Sequence, residues 1–109
     1  MKAETVSAIV LNENNELILK ITGKGHPSYQ YIYREAAGVY WDEQEKGFKS
    51  TPLREWTISK WFFHIKDIVK IGLNMNLEMD NNISWENIPT DEQEKIKDAL
   101  QSSRRPHQW

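Results

Sequence analysis

TPLREWTISKWFFHIKDIVKIG, residues 51–72, is the stretch on which the fold turns. Thr51 followed by Pro52 has the form of a helix N-cap with proline at the first helical position, where no amide is needed. Beyond it Leu53, Ile58, Trp61, Phe62, Ile65, Ile68 and Val69 recur at steps of three and four, the signature of a buried helical stripe. Lys60, Lys66, Asp67 and Lys70 take the polar positions. The pattern predicts a helix over 52–71, about 30 Å long, with Gly72 as the left-handed residue that ends it. Trp56 and Phe63 stand seven apart, which places them on one side of such a helix and off the main stripe. A helix apolar around most of its girth is covered on more than one side, by a sheet, by another helix or by a second copy of the chain.

Upstream, the period changes to two. Residues 5–12 and 16–22 read as strands joined by an asparagine-rich turn at Glu13-Asn14-Asn15-Glu16, and Gly23, Gly25 and Pro27 end the second. Residues 28–34 alternate Tyr29, Tyr31 and Tyr33 against Gln30, Ile32 and Arg34, which predicts a third strand with all three tyrosines on one face. Residues 38–44 and 48–50 read as a further hairpin, with Gly47 at the turn position that favours positive φ.

Downstream, Leu73, Met75, Leu77 and Met79 alternate with polar residues, which favours a sixth strand, with continued helix as the alternative. Asp80-Asn81-Asn82 reads as a loop and Ser84–Asn87 as a single helical turn. Thr90 and Gln93 have capping-box spacing, and Asp91, Glu92 and Glu94 suit the positive end of a short last helix. Ile96, Ala99 and Leu100 give that helix a narrow apolar edge. The expected architecture is α+β: an antiparallel meander of five to six strands packed on one long helix, with a short C-terminal helix. Residues 1–101 form one domain and 102–109 a tail without periodicity.

Composition narrows the function classes. Net charge is −2, from 14 basic and 16 acidic residues, and no basic stripe runs along the chain. The counterion-release footprint of a nucleic-acid binder is therefore missing. There is no cysteine, so thiolate metal sites and thiol nucleophiles are excluded. No His-x-x-x-His or similar pair supplies a transition-metal site, and no cofactor motif is present. No apolar run reaches membrane-spanning length and the opening residues lack the apolar core of a leader, so the expected location is the cytoplasm.

Ten of the twelve aromatic residues lie between Tyr29 and Phe63. That is more ring surface than one modest core needs, and it points to a pocket or a second subunit. The ligand-binding candidates are Tyr31, Tyr33, Trp41, Asp42, Trp56 and His64. Rings supply apolar walls, and a tyrosine hydroxyl, His64 and Asp42 supply convergent polar groups. Asp42 is singled out among the acids of this stretch because it stands beside Trp41. His64 has Lys60 one turn before it and Asp67 three residues after it, a spacing that can orient an imidazole for acid–base work. Trp56, Lys60, Phe63 and His64 are the interface candidates, for a homodimer or higher homo-oligomer.

The segments Tyr40-Trp41-Asp42-Glu43 through Gly47-Phe48, and Trp56 to Ile71, give the chain a character that resembles the small orphan α+β proteins carried by mobile integron gene cassettes. The resemblance is one of type and assigns no residue a role. It implies a compact oligomer with a small-molecule or partner site, and an accessory binding role over housekeeping catalysis. The leading expectation is a non-catalytic binding module for a small apolar or aromatic molecule or a protein partner. Two alternatives stay open: a partner-neutralising protein of the antitoxin or immunity kind, and a small enzyme using His64 or Asp42.

Overall fold

Asn12 closes the first hairpin by accepting the amides of Asn14 (3.0 Å) and Glu16 (2.8 Å) on its side-chain oxygen, while Asn15 adopts a positive φ of 61°. The computed structural model describes residues 2–104. Strand β1 is Lys2–Leu11 and β2 is Leu17–Ile21, paired antiparallel. The register shifts at Ser7, one extra residue that lets Val6 and Ile9, three apart, both face the core. β3 (Val39–Asp42) and β4 (Gly47–Ser50) form the second hairpin, and β4 pairs with β2. In that turn the positive φ falls on Lys46 (55°) and not on the predicted Gly47, whose small size serves packing instead.

The sheet is mixed, not an antiparallel meander. Its order is β3-β4-β2-β1-β5, and β5 (Met75–Glu86) runs parallel to β1. β4 and β5 therefore point the same way, and a parallel connection requires a crossover element. Helix α1, Ile58–Leu73, is that element: it lies over β5, β2 and β4. Strand β5 takes up the strand predicted over 73–79 only from Met75, since Leu73 closes α1 and Asn74 caps it, and it continues through the expected loop and helical turn. Met79 pairs with Val6 and Ser84 with Ala8, so residues 80–83 bulge opposite Ser7, where Asp80 accepts the Asn82 amide at 3.0 Å. Ser84, Trp85 and Glu86 are ladder residues beside Ala8, Ile9 and Val10.

Residues 28–34 are not a strand. Pro27–Glu35 is a 3₁₀ helix capped by His26, whose Nδ1 accepts the Ser28 amide at 3.1 Å. Its period of three turns Tyr29 and Ile32 inward and leaves Tyr31 and Tyr33 outside, so the tyrosines do not share a face. It packs on β3 and α1.

Helix α1 starts six residues later than predicted, because residues before it are committed elsewhere. Leu53 donates its amide to the Asn15 carbonyl (2.8 Å) and accepts the Asn15 side-chain amide (2.9 Å). The N-cap is Thr57, whose Oγ1 accepts the Lys60 amide at 3.2 Å. The helix ends at Asn74 in the left-handed region, not at Gly72. Gly72 sits within the last turn, where a Cβ would lie 2.8 Å from Glu35 Cγ and 2.9 Å from Ile32 Cδ1. Of the predicted stripe, Ile58, Trp61, Phe62, Ile65 and Val69 are buried, while Ile68 is half-buried and Leu53 lies ahead of the helix.

The last helix, α2 (Thr90–Arg104), is nearly as long as α1, so the fold has no single dominant helix. The tail expected from residue 102 begins inside α2, and residues 105–109 lie outside the described residues. Gln93 donates its side-chain amide to the Ile88 carbonyl at 2.9 Å instead of closing a box with Thr90. Glu92 is buried and reaches across to α1, accepting the Ser59 amide at 2.8 Å and pairing with Lys95 at 3.0 Å. It supplies the acidic group that the first turn of α1 lacks. Burial works against its ionisation, but the Ser59 amide and Lys95 outweigh it and hold the carboxyl below its ordinary range. A folded-state pKa that is lowered contributes stability present above the unfolded-state value and lost as pH falls through the folded one. Glu92→Ala is expected to cost about 1–2 kcal/mol, since it leaves a half-buried amide unpaired. Urea midpoints at neutral and acid pH check this: the gap between wild type and variant narrows as pH drops.

Candidate functional site

The sheet's pleat divides the candidate residues. Trp41 faces the helices, and its neighbour Asp42 faces the other side. There Asp42 accepts the Glu45 amide at 2.9 Å and pairs with Lys49 at 3.5 Å, so it serves the hairpin. On the helical side the rings gather into two clusters.

The first cluster combines the segment before α1 with its opening turns. Trp56 and Trp61 have ring centroids 5.1 Å apart, and His64 stands edge-on to both, at 5.0 Å from Trp56 and 5.3 Å from Trp61. Trp61 is buried against the core, whereas Trp56 is 36% exposed. The Lys60 ammonium lies 4.7 Å from the Trp56 ring centre, a cation–π contact. His64 donates Nε2–H to the Ala37 carbonyl at 2.8 Å, which fixes its ring and commits that proton to the backbone. The predicted Asp67 partner is exposed and makes no bond to it. Beside the cluster opens a cleft of about 450 Å³ lined by Thr51, Pro52, Arg54, Glu55, Trp56 and Trp61. Arg54 and Glu55 are exposed and have no hydrogen bond or ion pair to any described residue. The cleft thus offers an aromatic wall and one free group of each sign.

The second cluster is Trp41 with Tyr29 (5.2 Å, edge-on) and Phe48 (4.9 Å). Tyr29 donates its hydroxyl to Glu4 Oε2 at 2.6 Å. Burial and that carboxylate push its pKa up to about 12, so the phenol stays neutral under ordinary conditions.

The structure therefore brings Trp56, His64 and Lys60 together and sets Trp41 in a different place. Tyr31 stays on the outer side of the 3₁₀ helix, with the Arg34 guanidinium 4.3 Å from its ring centre, and Tyr33 is exposed there too. Phe63 meets Phe62 edge-on at 4.9 Å and borders a groove with Lys66, Asp67, Ala99 and Leu100. Trp56 precedes α1, so its seven-residue spacing to Phe63 carries no helical meaning. Sequence reasoning missed Arg54 and Glu55 because it placed them inside a helix. It also read Trp61 as core alone, although the same ring walls the cleft.

Among the described residues no three His, Asp or Glu side chains converge as a metal site, and no helix is long and apolar enough to cross a membrane. The fold and these clefts define a small α+β protein with a mixed five-stranded sheet and aromatic clefts on its helical side. The chain belongs to the family described as Integron Cassette Protein Hfx_Cass5, whose model matches residues 5–83, from β1 to the bulge of β5. It is similar to a solved structure of the Integron Cassette Protein Hfx_Cass5 from the mobile metagenome of North West Arm Sewage Outfall. Identity is 28% over 93% of this chain and 98% of that one, with a TM-score of 0.42. Among curated proteins no match is found.

Proposed function

We propose that this protein is a non-catalytic binding module whose ligand is a small planar, apolar or aromatic molecule held against Trp56 and Trp61. The observation that carries the reading is the exposed Trp56 ring, buttressed by Trp61, His64 and Lys60 at the wall of the cleft. Ring stacking provides area at little entropic cost, and a pocket of this kind needs only a few polar groups to orient its guest. Arg54 and Glu55 are the groups available for that. His64 serves as a support, since its Nε2 proton is spent on Ala37.

A panel of planar aromatic compounds, screened by thermal unfolding, tests the reading. A ligand present at a hundredfold excess over its Kd stabilises the fold by about 2.7 kcal/mol. Trp56→Ala is expected to abolish that shift while costing the free protein little, because the ring is partly in water. A shift that survives Trp56→Ala, or a panel with no shift at saturation, would remove the proposal.

Self-association is a second reading, favoured by the outer stripe of α1. Lys60, His64, Asp67 and Ile71 recur along it, and Ile71 is 71% exposed. An apolar residue that open, on the stripe whose first turns carry Trp56, suits a two-fold contact between copies. Solution mass measured over a range of concentrations is expected to show a dimer that Ile71→Asp dissociates. A monomer at every concentration would end this reading.

A further inference from the structure

We infer that the cleft beside Trp41 is a second, separate site that takes a small planar aromatic anion. It is independent of the Trp56 cleft. Its volume is about 520 Å³, and Lys24, Gly25, His26, Pro27, Gln30, Trp41 and Glu43 line it.

The aromatic wall is built in place. Gly25 has a φ of 83°, and a Cβ there would lie 2.6 Å from Trp41 Cζ2, so the loop backbone rests directly on the indole. Tyr29 and Phe48 hold the ring from within. Glu43 Oε1 accepts the indole Nε1–H at 3.1 Å, which fixes its orientation.

The charged and imidazole groups left over are donors. Glu43 is satisfied: one oxygen takes Trp41 and the other takes Lys46. Glu4, which approaches the loop at Gly23, holds the Tyr29 hydroxyl. His26 uses Nδ1 as an acceptor toward Ser28, so in the neutral ring the proton sits on Nε2, which has no partner among the described residues. Lys24 has none either, nor does the Gln30 amide. Of the lining residues' main-chain amides, those of Lys24 and Gly25 likewise donate to no described residue. An ammonium, an imidazole N–H and loop amides around an indole face match a carboxylate carried on an aromatic ring. A cationic or purely apolar guest would leave these donors unused, and burying them unpaired is costly.

The test uses 2-naphthoate, followed by amide and indole proton–nitrogen correlation spectra of the full chain. Loss of one indole signal in Trp41→Phe assigns Trp41. The expected result is saturable movement of the Trp41 indole and the Gly23–Gly25 amides, with the Trp56 indole as an independent reporter of the other cleft. Neutral 2-naphthylmethanol and the Lys24→Ala variant should each bind about tenfold more weakly, the factor that about 1.4 kcal/mol represents. The Lys24 side chain is exposed and has no hydrogen bond or ion pair to a described residue, so its removal leaves folding intact. Equal binding of acid and alcohol, full affinity in Lys24→Ala, or no movement of the Trp41 signals at saturation would each overturn the inference. So would inorganic phosphate binding as tightly as 2-naphthoate, because the ring would then contribute nothing.

Discussion

Phe62→Ala is expected to destabilise the fold by about 3–5 kcal/mol, the usual range for removing a fully buried aromatic ring. Phe62 is 1% exposed and sits on the buried stripe where α1 crosses the sheet. Its position limits collapse. Beneath α1 lies the strand ladder, and on the flank Phe63 meets it edge-on at 4.9 Å. Neither the sheet nor α1 can close the void without breaking other contacts. Against a typical total of about 5–15 kcal/mol, the loss removes a large share of stability. Urea unfolding checks it: the midpoint falls while the slope is retained. A cost below about 1 kcal/mol, the level of a surface change, would contradict this placement of α1.

Gly47→Ala is the second large effect, and it turns on backbone meeting backbone. A Cβ at residue 47 would lie 2.7 Å from the Leu19 carbonyl oxygen, 2.8 Å from Ile18 Cγ2 and 3.0 Å from Lys20 Cα. Two of those atoms belong to the main chain of β2 and cannot rotate away. The strands must separate where β4 joins β2, with a cost of about 1–3 kcal/mol or more. Lys46→Gly, one residue earlier, should be close to neutral. It relieves a left-handed non-glycine residue, and the ion pair it deletes is an exposed one worth about 0–1 kcal/mol. If the reverse order of effects were measured, with Lys46→Gly the damaging change and Gly47→Ala neutral, the close approach of β4 to β2 at Gly47 would be contradicted.

That contrast shows where the chain is legible. Strand alternation in β1 and β2, the asparagine turn between them, the buried stripe of α1 and the start of α2 at Thr90 follow from local patterns and stand in the structure. The parallel pairing of β1 with β5 does not, because its determinant is where a crossover helix lands, not any feature of either strand. Residues 27–35 carry two periods at once. Tyr29, Tyr31 and Tyr33 alternate, but Tyr29, Ile32 and Glu35 recur at three, and the His26-Pro27 cap selects the second. Thr51-Pro52 and Thr57 are both reasonable helix starts, and the bonds between Leu53 and Asn15 decide between them. The site inherits these errors. Trp56 and His64 were legible as neighbours because both are close to one helix. Trp41 is not separable from them in the sequence, since its distance depends on strand order across the sheet.

The slot that β1 occupies has a temporal consequence. Its antiparallel partner β2 follows it closely in the chain, whereas its other flank waits for β5, whose first rung pairs Lys2 with Met75. While the intervening chain is still being synthesised, a nascent polypeptide carries a bare row of peptide groups along Lys2–Val10. Contacts between such distant rungs form slowly, and unpaired flanks recruit neighbouring chains. Yield from rapid, crowded expression should therefore hinge on how soon α1 delivers its strand.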